Sequence, residues 1–164
     1  MSNKRKLFHF AEIKTFSNVT EVGYKEVLNK THPLRGKWNE MVFKNDHDIV
    51  LELGCGKGEY SLGMSRRYPN KNFIGMDIKG SRIWRGARTA LDESMENVHF
   101  LRCRIDFLES MFSTDEVSEI WLTFPDPQAP KSKERKRLTS NRFLDKYLGV
   151  LKKGGHLNLK TDSD

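Results

Sequence analysis

Short apolar segments alternate with longer segments of helical pattern throughout the part of the chain that follows residue 48. Several of the apolar segments are rich in β-branched or aromatic residues, and they cover residues 49–53, 73–76, 98–102, 120–124 and 156–160. Helix candidates lie between them, at residues 59–67, 81–95 and 141–151. Strands that alternate with such helices are typical of βαβ units, in which helices cover both faces of a parallel sheet. The alternation therefore predicts an α/β fold with a doubly wound, mainly parallel sheet.

The first 48 residues lack this alternation. They are polar and irregular, with three consecutive cations at positions 4–6 and one short helix candidate at 38–44. We expect an N-terminal arm or flap over residues 1–48 and one α/β domain over 49–164, since a chain of 164 residues is normally a single domain. The sequence ends soon after the fifth predicted strand, where many sheets of this type add further strands. We therefore expect the C-terminal strands of the domain to be missing.

The charge balance admits two interpretations. Lys and Arg number 29 against 22 Asp and Glu, which gives a net charge of +7 at pH 7, and the sequence pI is about 9.4. Such a balance is expected of a protein that binds a polyanion such as nucleic acid, but it also serves solubility alone. Charge by itself does not separate the two.

Several classes of protein are disfavoured by simple absences in the sequence. No apolar run approaches the roughly 18 residues of a membrane span, and no apolar signal segment follows the basic start, which predicts a cytoplasmic protein without a membrane partner. The two cysteines, Cys55 and Cys103, have no Cys-x-x-Cys partner and no His at ligand spacing. We therefore predict two reduced, buried thiols, with no disulfide framework and no metal site.

A glycine-rich turn joins the first predicted strand to the first predicted helix. Gly54, Gly56 and Gly58 lie in Leu-Gly-Cys-Gly-Lys-Gly-Glu, where missing Cβ atoms let the backbone approach a ligand closely. A dinucleotide fingerprint would need glycine at position 59, and the carboxylate of Glu59 would repel a pyrophosphate. The Walker pattern is also absent. S-Adenosylmethionine fits better, because it has no phosphate and its amino and sulfonium groups are cationic.

Three acids lie near the predicted strand ends around this turn. Glu52, one residue inside the first strand, is placed to face the cationic part of such a cofactor. Asp77 ends the second strand at the spacing where an acid accepts hydrogen bonds from ribose hydroxyls, although it could instead cap the next helix. Asp106 follows the third strand, where an adenine amino group is usually accepted, and has the same alternative as a helix cap.

A carboxylate between two prolines ends the fourth strand. In Phe-Pro-Asp-Pro at 124–127, the prolines hold Asp126 in a stiff, non-helical conformation beside the expected cofactor site. A plain turn residue is the alternative interpretation. Five cations in seven residues follow at 131–137, and they indicate phosphate contacts with a nucleic acid or, alternatively, a solvated face.

Three motifs together resemble those of the bacterial tRNA (guanine-N7-)-methyltransferases. They are Leu-Glu-Leu-Gly-Cys-Gly-Lys-Gly at 51–58, Phe-Pro-Asp-Pro at 124–127 with the basic run behind it, and Lys-Thr-Asp at 160–162. The resemblance covers about residues 32–164. It implies a Rossmann-like class I methyltransferase fold and methyl transfer from S-adenosylmethionine to N7 of a guanine in the variable loop of tRNA.

The resemblance also implies roles for single residues. Glu52, Asp77 and Asp126 would contact S-adenosylmethionine, and Asp126 would also be the catalytic residue. Lys131 and Asp162 would bind the substrate. The tRNA would be contacted by Lys133, Arg135, Lys136 and Arg137.

The chain departs from the family pattern at three places. Gln128 stands where the family usually has Trp, and the family's acid after the third strand aligns near Arg104, so the adenine contact is expected at Arg104 or Asp106. The family also continues past the Thr-Asp pair to a Thr-x-x-Glu segment that helps to hold the guanosine.

Guanine N7 carries an in-plane lone pair, so its methylation does not require prior removal of a proton. We therefore expect Asp126 to orient the purine and stabilise its positive charge rather than to act as a strong general base. A methyltransferase of a small molecule or protein would share the glycine turn and Asp77 without needing the basic run. A non-catalytic RNA-binding module would explain the charge alone. We expect a monomer or a homodimer.

Overall fold

The computed structural model describes residues 2–162, and its centre is one six-stranded parallel sheet. The strands are β1 (Val19–Glu21), β2 (Asp48–Leu53), β3 (Lys71–Asp77), β4 (Val98–Arg102), β5 (Val117–Thr123) and β6 (Leu151–Lys160). Their order across the sheet is β1-β4-β3-β2-β5-β6, and every neighbouring pair is parallel. The predicted doubly wound α/β fold is confirmed, and so are all five predicted strands. The short strand β1 was missed.

Helices cover both faces of this sheet. They are α1 (Asn3–Ile13), α2 (Tyr24–Val27), α3 (Glu59–Arg67), α4 (Gly80–Asp92), α5 (Leu108–Met111) and α6 (Asn141–Val150). The helix candidates at 59–67, 81–95 and 141–151 correspond to α3, α4 and α6 within three residues at each end. Among the described helices, none has the length and apolar character needed to cross a bilayer.

The core lies in two layers, one on each face of the sheet. Ile49 to Leu53 of β2 are all buried, as expected for a strand in the middle of a parallel sheet. The indole of Trp38 lies in one layer, fully buried, and its Nε1–H donates to the Met111 carbonyl at 2.9 Å. Trp38 precedes a π-helical turn at Asn39–Phe43, which is the helix predicted at 38–44.

The N-terminal stretch, whose sequence is polar and irregular, forms regular elements in the structure. Helix α1 packs against α4, and β1 pairs with β4 at one edge of the sheet. The Glu12 carboxylate of α1 accepts from Trp84 Nε1 at 2.9 Å and pairs with Arg88 at 3.0 Å. The sequence hid α1 because its buried residues are only His9 and Ile13, while its exposed face carries Leu7 and Phe8. The division of the chain at residue 48 stays a prediction.

A buried histidine next to the β1 edge makes stability depend on pH. Burial lowers the pKa of His99 from its usual 6.5 to about 4. Its Nε2 lies 2.8 Å from the Thr20 hydroxyl, and its ring meets Trp38 edge to face. Because the folded state disfavours the protonated form of His99, the neutral ring contributes fully to the free energy of unfolding above pH 6.5. This contribution is lost as the pH falls toward 4.

We expect acidification across that window to cost on the order of 3 kcal/mol through His99. Urea unfolding of the wild type and of His99→Gln at a series of pH values measures this loss of stability, because the variant has no imidazole to protonate at position 99. His156→Gln, which replaces an exposed histidine of β6, is the control. Equal pH dependence in the wild type and His99→Gln would contradict the assignment.

Candidate cofactor and substrate site

The glycine turn lies at the carboxyl end of β2, where all three of its glycines adopt left-handed conformations. Their φ angles are +75° at Gly54, +57° at Gly56 and +77° at Gly58. The amides of Gly54 and Cys55 donate to the Met76 carbonyl at 2.8 and 3.1 Å, which ties the turn to the end of β3. The first two residues of the turn thus run close to the end of β3 before the chain enters α3.

The ring of Phe100 fills a pocket that only glycines can form. A Cβ on Gly58 would lie 2.6 Å from Phe100 Cε1, and one on Gly86 of α4 would lie 2.8 Å from Phe100 Cζ. A Cβ on Gly75 of β3 would lie 3.0 Å from Cδ1 and Cε1 of the same ring. Three glycines from a turn, a strand and a helix therefore allow β3, β4 and α4 to approach the turn closely.

The Asp77 carboxylate holds the middle of the glycine turn. Its Oδ2 accepts from the Gly56 amide at 2.9 Å, and its Oδ1 accepts from the Lys79 amide at 2.9 Å. The second bond lies at the start of α4, where the sequence allowed Asp77 to be a helix cap. The N-cap of α4 is Lys79 and not Asp77. The carboxylate therefore lies between the turn and the start of α4.

Glu52 is buried beneath the turn, with 2% of its surface exposed. Its Oε2 accepts from the Ser61 amide and hydroxyl at 3.0 and 2.6 Å, and its Oε1 accepts from the Thr123 hydroxyl at 2.6 Å. Burial raises the pKa of Glu52, and these hydrogen bonds oppose that rise. Because both oxygens are already bonded, contact with a cofactor ammonium would have to share or replace these bonds.

A cavity of about 430 Å³ opens beside the turn at the carboxyl edge of the sheet. It is lined by Gly54, Asp77, Ile78, Arg104, Asp106 and Leu138, among others. Such a volume is in the usual range of small-molecule sites. The structure thus brings to one place the glycine turn and both candidates for an adenine contact.

The two candidates for the adenine contact are themselves paired. Asp106 accepts a hydrogen bond from Arg142 of α6 and lies 3.4 Å from Arg104. Arg104, not Asp106, is the N-cap of the short 3₁₀ turn Ile105–Phe107. Asp106 is therefore not the helix cap considered as its alternative role.

The residues around this cavity fit S-adenosylmethionine. A Cβ on Gly54 would meet only Leu138 at 4.0 Å, and one on Gly56 would meet nothing within 4 Å, so open space lies against the backbone there. The lining combines the carboxylate of Asp77 with the apolar side chains of Ile78 and Leu138. A cationic amino acid portion and a ribose require the carboxylate, and an adenine requires the apolar surface.

The Asp126 loop begins and ends in left-handed residues. Phe124 has φ +48° and Gln128 has φ +47°, conformations that cost energy in residues with a Cβ. The exposed Asp126 carboxylate accepts from the Gln128 amide at 3.0 Å. Asp126 also lines a second cavity of about 160 Å³, and Leu138 lines both this cavity and the larger one. The two cavities therefore adjoin each other at Leu138.

The basic run divides into two parts. Residues Lys131–Lys136 form an exposed 3₁₀ helix, and among the described residues its Lys and Arg side chains make no ion pair. Arg137 instead turns back, donating from Nε to the Gln128 carbonyl and from Nη2 to the Ala129 carbonyl, each at 3.3 Å. Arg137 therefore supports the Asp126 loop, a role that its place in a cationic run did not suggest.

The end of β6 joins the Asp126 loop at the same edge of the sheet. The Phe124 amide donates to the Lys160 carbonyl at 2.7 Å, and Lys160 Nζ lies 5.0 Å from the Tyr60 ring centre and 5.7 Å from that of Phe124. Asp162 follows β6 and is exposed. This edge thus also carries two aromatic rings that sequence reasoning did not single out.

Three further residues of the site were missed from the sequence: Ser61, Thr123 and Leu138. Ser61 and Thr123 carry the hydroxyls that hold Glu52, and their only signal is a hydroxyl near the end of an element. Cys55 and Cys103 are buried free thiols as predicted, and burial raises the pKa of Cys103 to about 11. Within residues 2–162, no group of three His, Cys, Asp or Glu side chains is placed to hold a metal ion.

Comparison with known proteins agrees with these features. A family model described as "Putative methyltransferase" matches residues 46–164. The tRNA (guanine-N(7)-)-methyltransferase of Christiangramia forsetii is 53% identical over 164 residues, which make up 100% of this chain and 73% of that protein. The enzyme of the same name from Bacteroides thetaiotaomicron is 51% identical over 161 residues, 98% of this chain and 63% of that protein.

Solved structures share the fold at lower identity. The 16S rRNA methyltransferase KamB superposes with a TM-score of 0.59 and 21% identity, over 73% of this chain and 56% of that chain. A likeness at this identity concerns the fold, which is that of class I S-adenosylmethionine-dependent methyltransferases.

Proposed function

Since this chain belongs to the tRNA (guanine-N(7)-)-methyltransferase family, we propose that it methylates N7 of a guanine in tRNA with S-adenosylmethionine as the cofactor. The observation that carries this proposal is the junction of the two cavities at Leu138. One cavity has the glycine turn and Asp77, and the other has Asp126. The two cavities are therefore neighbours, and transfer requires the methyl group and N7 to come within about 3 to 3.5 Å of each other past the Leu138 side chain.

The larger cavity holds the cofactor. S-Adenosylmethionine, when bound, supplies an electrophilic methyl group on a sulfonium. Asp77 accepts from the ribose hydroxyls, and the open backbone at Gly54 and Gly56 receives the amino acid portion. Arg104 and Asp106 lie where the adenine binds. Glu52 acts mainly by holding Ser61 and Thr123, and its negative charge favours the cationic end of the cofactor.

Asp126 orients the acceptor guanine. The N7 lone pair lies in the plane of the purine and is already free, so the chain needs to position the base rather than to deprotonate it. Asp126 accepts from the N1–H and the exocyclic amino group of guanine. Its negative charge also opposes the positive charge that the purine acquires as N7 is methylated.

The exposed basic helix positions the RNA. Lys133, Arg135 and Lys136 contact phosphates, which orients the tRNA without reading its sequence. Lys131 and Asp162 bind near the acceptor nucleotide, and Arg137 acts indirectly by holding the loop. We place this activity in the cytoplasm, in a monomer or a homodimer.

Methyl transfer from labelled S-adenosylmethionine to unmodified tRNA tests the proposal. We expect nucleoside analysis to find N7-methylguanosine, with a rate that falls steeply as salt is raised because phosphate contacts are lost. The Christiangramia forsetii relative is the positive control, and tRNA carrying 7-deazaguanosine at the accepting position, which lacks N7, is the negative control.

Other outcomes of this assay would replace the proposal. Methylation of the 7-deaza tRNA would exclude N7 as the acceptor atom. Cofactor binding without methylation of any tRNA would favour a small-molecule or protein substrate. An absence of cofactor binding would overturn the assignment as a methyltransferase.

A further inference from the structure

A wide cleft between α1 and the start of α4 is lined by cations. The cleft has a volume of about 890 Å³. Its cationic lining residues are Arg5, Lys6, Lys57, Lys79, Arg82 and Arg85. No acidic residue lines it, and all six cations are exposed. We refer to this surface as the α1–α4 cleft.

The cations of the α1–α4 cleft are unpaired within the described part of the chain. Other arginines, such as Arg66, Arg88 and Arg102, form ion pairs with nearby carboxylates, whereas none of the six does. Like charges gathered around one cavity repel one another, so the arrangement costs folding free energy unless an anion is bound. The absence of balancing acids indicates a polyanionic partner.

The start of α4 adds to the positive potential. Its first turn has no acidic residue, although acids are favoured there because the N-terminal end of a helix dipole is positive. Lys79 is the N-cap and makes no side-chain capping bond, and Arg82 and Arg85 follow within two turns. The Asp77 carboxylate already accepts from the Lys79 amide, so the groups suited to phosphate oxygens here are the two guanidinium groups.

The walls of the cleft are aromatic as well as cationic. His9 stacks on Trp84 with ring centres 3.8 Å apart and planes 8° from parallel, and Phe10 and the half-exposed Ile78 line the same space. His9 is buried, with 8% of its surface exposed, and within residues 2–162 its Nδ1 has no hydrogen-bond partner. A cationic groove with aromatic surface is the usual composition of nucleic-acid binding sites.

The cleft adjoins the cofactor cavity on the side away from the basic helix. Ile78 lines both the cleft and the cofactor cavity. Helix α4 follows β3, whereas the helix Lys131–Lys136 follows β5, and β3 and β5 lie on opposite sides of β2. An RNA that reaches the cofactor cavity therefore meets cations on both sides of it.

We propose that the α1–α4 cleft is a second RNA-binding surface, which takes the phosphate backbone of the substrate at a distance from the methylated base. The inference rests on the proposed function for the identity of the RNA as tRNA. The backbone contacts of the cleft would add affinity without base selectivity, because phosphates carry no sequence information.

Charge reversal in the cleft tests this surface by binding rather than by activity. Arg82→Glu/Arg85→Glu should weaken tRNA binding by about tenfold or more at moderate salt, measured by fluorescence anisotropy. A plot of log Kd against log salt concentration should also become shallower by about 1 to 2, because about two phosphate contacts are lost. Arg82→Gln/Arg85→Gln should give the same changes to a smaller extent.

The matched control reverses two unpaired cations at the opposite edge of the sheet. Lys44→Glu/Lys153→Glu changes the net charge by the same amount at exposed positions near the starts of β2 and β6. It should leave both the affinity and the salt slope close to those of the wild type. Cofactor affinity should be unchanged in all variants, and thermal unfolding should occur at no lower a temperature than in the wild type, which excludes misfolding.

The outcomes separate this inference from the proposed function. The proposal that the cleft binds RNA would be overturned if Arg82→Glu/Arg85→Glu kept the affinity and the salt slope of the wild type. It would also be overturned if the control variant lost as much affinity, or if the wild-type chain bound no RNA. Weaker binding confined to the cleft variants, in a chain that transfers no methyl group to tRNA, would support RNA binding by the cleft and contradict the proposed methylation of tRNA.

Discussion

Asp126→Asn is expected to reduce kcat/KM for tRNA methylation by about 100-fold while cofactor affinity stays close to that of the wild type. The substitution removes the negative charge but keeps an oxygen that can accept from the Gln128 amide, the loop contact present at 3.0 Å. The loop should therefore keep its shape. What is lost is the attraction to a purine that becomes cationic, and such an interaction is made mainly in the transition state.

Single-turnover methylation and calorimetric titration of S-adenosylmethionine measure the two quantities separately. Glu134→Gln is the control, because it removes an exposed carboxylate from the adjacent basic helix without touching the loop. An unchanged rate in Asp126→Asn would remove Asp126 from the mechanism. A large loss of cofactor affinity with an unchanged maximal rate would make it a binding residue instead.

Gly58→Ala is expected to destabilise the fold by about 3 kcal/mol, and with it the cofactor site. Of this, about 1 to 2 kcal/mol comes from placing a Cβ at a left-handed residue, and the remainder from overpacking against Phe100. A Cβ there would lie 2.6 and 2.8 Å from two atoms of that ring. Against a typical total stability of about 5 to 15 kcal/mol, the loss is large.

Two neighbouring glycines provide the matched series for urea unfolding. Gly56→Ala has open space for its Cβ and should lose only the cost of its left-handed conformation, about 1 to 2 kcal/mol. Gly63→Ala, in the interior of α3 with open space, should gain about 0.5 to 1 kcal/mol. If Gly58→Ala cost no more than Gly56→Ala, the contact with Phe100 would not be limiting.

Combining Gly58→Ala with Phe100→Leu isolates that contact. The smaller side chain relieves the overpacking but leaves the left-handed conformation, so the double variant should be less destabilised than the sum of the single variants. Additive losses would place the cost of Gly58→Ala in the backbone alone.

The central strands and the glycine turn were predictable because their signals are local. An apolar run such as 49–53 must be buried on both faces, and glycines between a strand and a helix have few other purposes. Parallel strands end at one edge of the sheet, which is why Gly54, Asp77 and Asp106 come together around one cavity. The functional roles of these residues stay predictions.

The remaining features depend on contacts between distant parts of the chain. Strand β1 has three residues, and it forms because β4 offers a free edge rather than because its own sequence requires it. Asp106 pairs with Arg142, 36 residues further on, and Arg137 turns back on the loop that precedes it. Such pairings follow from the paths of long loops, which residue types alone do not determine.

The conformation of the Asp126 loop has a thermodynamic consequence for the proposed binding of the acceptor nucleotide. Pro125 and Pro127 fix two φ angles, Phe124 and Gln128 occupy narrow left-handed wells, and Arg137 holds two carbonyls of the following segment. Few backbone dihedrals remain free to be ordered when a nucleotide arrives, so little conformational entropy is lost at that moment. The chain meets this ordering cost during folding, and more of the interaction energy with the RNA is available as affinity.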